Sequence, residues 1–484
     1  MSRVVFEKSV SGRKGYTLPK LTEAEKSCRL RIPKKYFAKE PPNLPELSEL
    51  DVVRHFTNLS QKNFSVDRNY YPLGSCTMKY NPKICEKIAA MDGFASLHPL
   101  LPQLRGGGML TQGALQVIYE MEQLLCEIVG MDAFCLQPMA GAHGELTGIM
   151  LIAAYHKKMG NRKTKVLIPD SGHGTNPASA SIAGYSVVSI STGDDGCMDM
   201  DELEKALDSE VAAVMLTSPN TLGLFNSHIR ELADKVHSHN ALLYCDGANL
   251  NALLGRCRPG DLGFDVMHVN LHKTFASPHG GGGPGSGPVG VKKELIPYLP
   301  TSVVVKRDDG TYALEYAKDE TIGFIAPFYG NYGVILRAYV YILMLGREGM
   351  RRVSENAVLN ANYIQARLKD AYSFPYDRRC MHECVLSAER QAEKGVHALD
   401  IAKALIDMGF HPPTIYFPLI VKEAMMIEPT ETESKEQLDA FIDAMHEIAR
   451  QADENPDDFK RMPRSTPVGR LDELKATKDM IFSL

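Results

Sequence analysis

The chain has 484 residues, of which 44% are hydrophobic and 23% are charged, and its formal net charge is −5. These values are ordinary for a globular protein, and the weak negative charge excludes a general attraction to nucleic acid or acidic membranes. No apolar run reaches the roughly 20 residues that span a bilayer, and a chain of this length predicts two domains with appendages.

Hydrophobic patterning divides the chain into four predicted parts. Residues 1–70 are expected to form an extended N-terminal arm with one or two short helices, because Pro33, Pro41, Pro42 and Pro45 punctuate a mixed sequence. In residues 71–325 the regular spacing of apolar runs predicts a large domain, and in residues 326–455 the pattern predicts a smaller α+β domain. Residues 456–484 predict a charged C-terminal tail.

The predicted large domain alternates short apolar runs with amphipathic stretches. Helical spacing predicts helices over Gly113–Val129, Leu146–Tyr155, Glu202–Leu207 and Ile229–His239. Apolar runs predict buried strands over Lys165–Ile168, Ser186–Ile190, Ala212–Leu216, Ala241–Cys245 and Asp265–Val269. This alternation is typical of an α/β fold with a mainly parallel sheet that helices cover.

The pattern changes in the predicted small domain. One or two helices are expected within residues 330–372, and further helices over His397–Met408 and Lys435–Asp453. Short apolar runs predict strands over Glu383–Ala388 and Thr414–Leu419.

The ten cysteines are scattered, and none forms a CxxC pair. Only Cys380 and Cys384, with His382 between them, lie close together in sequence. One such cluster cannot complete the four ligands of a structural zinc site. We therefore expect no metal site, and free thiols in the reducing environment of the cytoplasm.

Polar side chains follow four of the predicted strands. The segments after these strands are Pro169–Pro177, Thr217–Asn220, Asp246–Asn249 and Asn270–Thr274. In a parallel α/β sheet, ligands bind beyond the carboxyl ends of the strands. The candidate site therefore lies where these four segments meet.

Asp246 and Lys273 are the most informative pair at these strand ends. An isolated carboxylate or ammonium is costly to desolvate in such a position. Pyridoxal phosphate (PLP) needs both groups, since a lysine amine binds its aldehyde and a carboxylate keeps its pyridine nitrogen protonated. A buried ion pair, or two solvated loop residues, are the alternatives that the pair alone leaves open.

Two glycine-rich segments accompany the pair. Pro278–Pro288 follows Lys273, and it is not a P-loop because the lysine precedes the glycines. Ala140–Glu145 opens the helix that contains Leu146–Tyr155, where backbone N–H groups can contact a phosphate. His173, flanked by glycines after a strand, is a candidate for stacking on a flat ring.

These residues together resemble a known family. Asn270–Phe275 followed by Pro278–Gly285 resembles the PLP-lysine segment of the glycine cleavage system P-protein family. Further similar segments are Gly74–Lys79, His173–Ser179, Asp246–Asn249, Gly409–His411 and Glu428–Glu433. The resemblance runs from about residue 60 to about residue 455 and continues into the tail.

The resemblance implies fold type I of the PLP-dependent transferases, with a mainly parallel seven-stranded sheet and a small C-terminal α+β domain. It implies an enzyme that decarboxylates glycine and passes the aminomethyl group to the lipoyl arm of H-protein. The length and the Lys-bearing sequence are similar to the C-terminal-half subunit of the two-subunit form. A homologous subunit 1 (alpha), two copies of each, and a cytoplasmic location are therefore expected.

The resemblance also implies roles for individual residues. Lys273 carries PLP as a Schiff base, Asp246 keeps the ring nitrogen protonated, and His173 stacks on the ring. The remaining cofactor-binding residues are Gly141, Ala142 and His272 near the phosphate, Thr217 within reach of the ring hydroxyl, and Asn249.

Two other functions stay open at this point. One is a different fold-type I enzyme, such as an amino-acid decarboxylase or an aminotransferase, because His272–Lys273 is shared with decarboxylases. The other is a cofactor-free regulatory subunit. The stretch Leu104–Met109 departs from the family pattern and receives no role. The glycines after Lys273 are expected to approach the cofactor or to move, so that Gly281→Val impairs catalysis.

Overall fold

The N-terminal region forms a unit of its own. The computed structural model describes residues 3–29, 33–40, 42–104, 107–278, 280, 283–316 and 319–480, and the chain divides into units Met1–Arg68 and Asn69–Leu484. The first unit contains helices α1 (Glu23–Arg29) and α2 (Glu49–Ser60). Helix α2 begins after Ser48, whose hydroxyl accepts a hydrogen bond from the Asp51 N–H at 3.1 Å and so caps the helix.

The second unit is built around a seven-stranded sheet. Its strands are β1 (Ala133–Cys135), β2 (Lys165–Pro169), β3 (Ser186–Ile190), β4 (Val211–Thr217), β5 (Leu242–Gly247), β6 (Val266–Val269) and β7 (Val289–Val291). Their order is β1-β7-β6-β5-β4-β2-β3. Strand β7 is antiparallel to both neighbours, whereas the remaining neighbouring strands pair in parallel. The predicted mainly parallel sheet is confirmed.

All five strands predicted for the large domain are present. Strand β4 is apolar until it ends at Thr217, as expected for a strand that is covered by helices on both faces. Strands β1 and β7 were not predicted, because each has three residues and leaves no readable period.

Helices surround this sheet and continue into the C-terminal part. They are α3 (Lys83–Ala89), α4 (Asp92–Ala95), α5 (Gly107–Leu110), α6 (Gln112–Val129), α7 (Gly141–Lys158), α8 (Thr175–Ile182), α9 (Met200–Ala206), α10 (Ile229–Ser238), α11 (Tyr332–Leu368), α12 (Glu389–Ala392), α13 (Ala398–Asp407), α14 (Lys435–Glu454) and α15 (Glu473–Lys478). The predicted helices are confirmed, although α7 begins at Gly141, well before the predicted start. Helix α11 is kinked at Gly346, where φ is 59°.

Five short strands lie after the main sheet. Strands β8 (Val303–Lys306) and β9 (Tyr312–Glu315) form a hairpin. Strands β10 (Cys384–Ser387), β11 (Thr414–Ile415) and β12 (Ala424–Ile427) form a second sheet in the order β10-β12-β11. The predicted strand Thr414–Leu419 is wrong in extent, because the backbone turns at Tyr416, where φ is 57°. Strand β12 was not predicted.

A second hydrophobic core joins this small sheet to helices α11, α13 and α14. Phe459 is 1% exposed and belongs to that core, so the segment after α14 packs against the small sheet region. In the part of the chain that the structure describes, no helix combines the length and the apolar character needed to cross a bilayer.

Candidate active site

The carboxyl ends of β4, β5 and β6 meet at one cavity. Thr217 pairs with Asp246 across β4 and β5, and Asp246 pairs with His268 across β5 and β6. These three side chains line the cavity together with Lys273, which follows β6. The sheet therefore brings together the strand ends that the sequence singled out.

Asp246 forms the floor of the cavity and is 4% exposed. Its Oδ2 accepts a hydrogen bond from Asn176 Nδ2 at 3.0 Å, and its Oδ1 accepts one from the Ala248 N–H at 3.0 Å. Burial would raise the pKa of Asp246, but the His268 imidazole and these hydrogen bonds hold that pKa below its usual range. Asp246 is therefore ionised at neutral pH.

Glu145 is a second carboxyl group at this floor, and the sequence analysis missed it. It is 4% exposed and accepts a short hydrogen bond from Asn176 Nδ2, the group that also binds Asp246. Burial, and after it the negative charge of Asp246, raises the pKa of Glu145 to about 8. Glu145 and Asp246 thus carry one proton and one negative charge between them. Glu145 lies one helical turn after Gly141, a spacing that could have revealed it.

His268 completes this group from inside strand β6. Its Nε2 lies 3.4 Å from Asp246 Oδ1, and its Nδ1 is 2.9 Å from the Tyr244 hydroxyl. Burial lowers the pKa of His268, although the Asp246 carboxylate opposes that shift. A neutral imidazole that accepts from Tyr244 carries its proton on Nε2, facing Asp246. The sequence analysis read His268 as part of an apolar strand and assigned it no role.

Lys273 lines the same cavity. It sits in the turn after β6, where its N–H donates to the Asn270 carbonyl at 3.1 Å. Among the described residues, none accepts a hydrogen bond from Lys273 Nζ, and none forms an ion pair with it. The amine is therefore available to a group that enters the cavity.

The N-terminus of α7 forms another wall. Gly141 and Ala142 line the cavity, and the preceding Ala140 offers no side-chain cap, so the first N–H groups of the helix remain open to a ligand. A Cβ atom on Gly141 would lie 2.6 Å from Asn270 Nδ2, and one on Gly287 would lie 2.2 Å from the Ala140 carbonyl oxygen. Glycine is required at both positions for this close approach.

Two buried polar atoms near this wall lack partners among the described residues. They are Asn270 Oδ1 and Ser286 Oγ, in residues that are 5% and 0% exposed. Buried polar groups normally have a hydrogen-bond partner. Together with the open α7 N-terminus and the free Lys273 amine, they fit a ligand that carries a carbonyl and an anionic group, as PLP does.

Three further predicted site residues are His173, Thr217 and His272. His173 lines the cavity from the loop after β2 and is exposed, and its Nδ1 is 2.9 Å from Thr175 Oγ1. The Thr217 hydroxyl lies 3.5 Å from Asp246 Oδ2. His272 contacts the glycine-rich segment, where its Nδ1 accepts from the Ser286 N–H at 3.2 Å. Its approach to a phosphate stays a prediction.

Asn249 also lines the cavity, but its amide group is engaged elsewhere. Its Nδ2 donates to Thr77 Oγ1 at 2.6 Å and to Glu428 Oε1 at 2.8 Å, and its Oδ1 accepts from the Asn251 N–H at 2.9 Å. Direct contact between Asn249 and a cofactor therefore stays a prediction. The bonds observed make it a link to Glu428.

A second buried carboxyl pair, Glu383 and Glu428, lies on the side of the small sheet. Glu383 and the neighbouring His382 line the cavity with Lys273. One imidazole nitrogen of His382 and one carboxylate oxygen from each of Glu383 and Glu428 all lie within 4.8 Å of one another. The same holds for one imidazole nitrogen of His268 and one carboxylate oxygen from each of Glu145 and Asp246. The sequence analysis noted His382 only between two cysteines and gave the two glutamates no role.

The glycine-rich segment is described only in part. Gly281 and Gly282 lie outside the described residues, as does His279, so the expected effect of Gly281→Val stays a prediction. In the stretch 104–109, Arg105 and Gly106 also lie outside them.

Comparisons with known proteins match most of this chain. The family model described as "Glycine cleavage system P-protein" matches residues 16–317, and the one described as "Glycine dehydrogenase, C-terminal domain" matches residues 353–464. Proteins named probable glycine dehydrogenase (decarboxylating) subunit 2 are similar over nearly their whole length. That of Bacillus licheniformis is 56% identical over 99% of this chain and 98% of the relative. That of Chlorobaculum tepidum is 56% identical over the same shares.

Solved structures show the same fold. A glycine decarboxylase (P-protein) of the glycine cleavage system, in inhibitor-bound form, has a TM-score of 0.74 and 21% identity, over 90% of this chain and 100% of the other. The sphingosine-1-phosphate lyase of Burkholderia pseudomallei has a TM-score of 0.64 and 12% identity, over 87% and 94%. Identities this low show the fold alone, and that fold is the predicted fold type I.

Proposed function

The chain belongs to the glycine cleavage system P-protein family, and from this premise we propose that Lys273 carries PLP in an enzyme that decarboxylates glycine. The reaction transfers the remaining aminomethyl group to the lipoyl arm of H-protein. The observation that carries the proposal is the Lys273 amine, which has no partner among the described residues and lines one cavity with the ionised Asp246.

The residues around the cavity support this proposal, because candidates for the contacts of PLP are present there. The open N–H groups of α7 and the unpaired Ser286 hydroxyl would hold the phosphate. Asp246 would hold the pyridine nitrogen, and His173 would lie over the ring. When bound, the protonated pyridine accepts the electrons that carbon dioxide leaves behind. Asp246 supports this by keeping a negative charge beside that nitrogen.

The surroundings of Asp246 keep its charge in place. Asn176 and the Ala248 N–H donate to its two oxygens, so the carboxylate cannot rotate away from the cavity. Glu145 stays protonated beside it and therefore does not add a second negative charge. His268 presents an N–H from the neighbouring strand, which orients the carboxylate further.

The expected partners follow from the same premise. The relatives are named subunit 2, so a homologous subunit 1 is expected, with two copies of each in a heterotetramer. A lipoylated H-protein is the expected acceptor. The cytoplasmic location stays a prediction from the sequence.

Borohydride reduction tests the cofactor assignment. The purified chain is loaded with PLP, reduced and digested, and the pyridoxyl group is located by mass spectrometry. We expect it on Lys273, and Lys273→Ala should leave the protein unlabelled. A pyridoxyl group on another lysine of the native chain would refute the assignment.

Reconstitution tests the partner assignment. The chain alone should show little glycine-dependent exchange of bicarbonate, and addition of subunit 1 with lipoylated H-protein should restore it. Full activity of the single chain would refute the need for subunit 1. Activity with another amino acid, and none with glycine, would refute the substrate.

A further inference from the structure

A second pair of buried carboxyl groups, Glu383 and Glu428, is not used by the roles above, and Glu383 lines the cavity. Glu383 precedes strand β10 and Glu428 follows strand β12, so both come from the small sheet. They are 4% and 0% exposed. Glu383 lines the cavity together with Lys273, Asp246 and Glu145.

Glu428 is the member of this pair that accepts the most hydrogen bonds. Its Oε1 accepts from Thr77 Oγ1 at 2.7 Å, Asn249 Nδ2 at 2.8 Å and Asn251 Nδ2 at 2.9 Å. Its Oε2 accepts from the Thr77 N–H at 3.0 Å. Three of these donors meet Oε1 and one meets Oε2, so the Glu428 side chain is held in place by the segment around Thr77 and by Asn249 and Asn251.

Glu383 has the opposite character. Its Oε2 accepts a single hydrogen bond, from the Ser75 N–H at 2.9 Å. Burial, and after it the negative charge of Glu428, raises the pKa of Glu383 to about 8. At neutral pH Glu383 is therefore a carboxylic acid that faces the cavity with a proton to give.

The imidazole beside Glu383 is unsatisfied. His382 is 1% exposed, and neither of its ring nitrogens has a hydrogen-bond partner among the described residues. Its Nε2 lies 3.7 Å from Glu383 Oε1, too far for a hydrogen bond. A buried imidazole without partners indicates that a polar group of a ligand completes this end of the cavity.

We propose that Glu383 is a catalytic acid that protonates the sulfur atom released when the lipoyl disulfide accepts the aminomethyl group. The proposal rests on the proposed function, which requires a disulfide acceptor. Of the two acids in the cavity, Glu145 shares the Asn176 amide with Asp246 at the cofactor end. Glu383 stands apart from that group and is free to act on an arriving acceptor.

Transfer of the aminomethyl group makes one C–S bond and breaks the S–S bond of the lipoyl group. The aminomethyl carbon, which keeps the electron pair left by carbon dioxide, forms a C–S bond to one sulfur atom, and the S–S bond breaks. The second sulfur leaves with that bond's electron pair and takes the proton of Glu383, so the disulfide is reduced to one thioether and one thiol. Glu383 is left ionised next to Glu428, and this like-charge contact drives it to regain a proton from solvent.

The proposal predicts a pH dependence. Glu383 must be protonated to act, so turnover should fall as the pH rises through the pKa of Glu383. The titratable groups that face it are His382, Glu428, Lys273 and the thiol groups of Cys76 and Cys384. Burial raises the pKa of Cys76, and its contact with Cys380 and its burial raise that of Cys384, so both thiols stay neutral over this range.

The test uses Glu383→Gln, which can still accept the Ser75 N–H bond but cannot give a proton. Its matched control is Glu433→Gln, because burial raises the pKa of Glu433 to about 7 but this residue does not line the cavity. Both variants are assembled with subunit 1, PLP and lipoylated H-protein. Measured are thermal unfolding, glycine binding from the cofactor absorbance, and turnover against pH.

We expect Glu383→Gln to bind glycine within about threefold of the native protein and to lose about a hundredfold in turnover, together with the alkaline fall in the pH profile. Infrared spectra of the chain without cofactor should lose one protonated-carboxyl band in Glu383→Gln. Glu433→Gln should turn over like the native protein.

Three results would overturn the proposal while the native complex is active. They are native-like turnover of Glu383→Gln, an equal loss in both variants, or a loss of glycine binding as large as the loss of turnover. A native complex with no glycine-dependent turnover would instead refute the proposed function, and this inference would fall with it.

Discussion

Replacement of Asp246 by asparagine separates the charge of this residue from its shape. The carboxylate receives donors from Asn176 and the Ala248 N–H, both at 3.0 Å, and faces His268 Nε2 at 3.4 Å. Asparagine offers one oxygen and one NH₂ group, so at least one of these donors will face another donor. An unsatisfied buried donor costs about 1–3 kcal/mol, and Asp246→Asn should therefore unfold at a lower temperature than the native chain.

The loss of activity should exceed this structural cost. A removed charge partner of the transition state typically costs about 3 kcal/mol, roughly a hundredfold in rate. Glu145 sets a limit to the loss, because its pKa is raised in part by the Asp246 charge. Once that charge is gone, the pKa of Glu145 falls, and its ionised form can partly replace the missing carboxylate. The double variant Asp246→Asn/Glu145→Gln should consequently be slower than Asp246→Asn alone.

The assay is glycine-dependent release of carbon dioxide by the complete system, with PLP occupancy measured in parallel. Asp265→Asn is the matched control, because Asp265 also accepts a backbone hydrogen bond, from Leu243 at 2.7 Å, and contacts a histidine, His237, at 2.9 Å. It precedes β6 and lies away from the cavity, so it should lose stability but not turnover. Asp246→Asn activity within about threefold of the native value would refute the role of the charge.

Three further predictions concern the surroundings of the site. Lys79→Met should lower the free energy of unfolding by about 3–5 kcal/mol in chemical denaturation, because it leaves Glu431 buried without the ammonium group that lies 2.9 Å away. The double variant Lys79→Met/Glu431→Gln should recover most of that loss. Native stability of the single variant would contradict the argument. Glu145→Gln should flatten the pH dependence of stability. In the native chain, folded Glu145 keeps a proton that the unfolded chain releases above a pKa of 4.5, because folding raises this pKa to about 8. Native stability should therefore fall between these two pH values, at up to about 1.4 kcal/mol per pH unit. Unfolding free energies of equal slope in both proteins would exclude this. Gly141→Ala should weaken PLP binding by at least about tenfold in a titration, because its Cβ would meet the Asn270 amide at 2.6 Å; unchanged affinity would show that α7 can shift.

The parts of the site that the sequence predicted are those that depend on one strand and the residues just after it. Thr217, Asp246 and Lys273 each follow an apolar run whose end is readable, and the parallel sheet places such ends along one edge. Gly141 was found for a similar reason, since small residues opened a predicted helix. Local pattern and one rule of topology were sufficient for these residues.

The residues that the sequence missed depend on contacts between distant segments. Glu383 and Glu428 each flank a strand of the small sheet, and β12 was not predicted, so nothing placed Glu428 near a strand end. Glu383 lines the cavity of Lys273, and this position depends on how the small sheet packs against the rest of the unit. His268 was overlooked for a different reason, because a single polar residue does not interrupt the apolar pattern of a four-residue strand.

The two carboxyl pairs share one arrangement, which explains why single substitutions will give incomplete answers. In each pair, one carboxylate receives several donors and keeps its charge, and that charge together with burial keeps the second carboxyl protonated. Removing the charged member therefore lowers the pKa of the other, although burial still raises that pKa, and ionisation of the other can partly restore the lost charge. Groups coupled in this way are not additive. The contribution of Asp246 or of Glu428 can be measured only in a cycle that also replaces its protonated neighbour, Glu145 or Glu383.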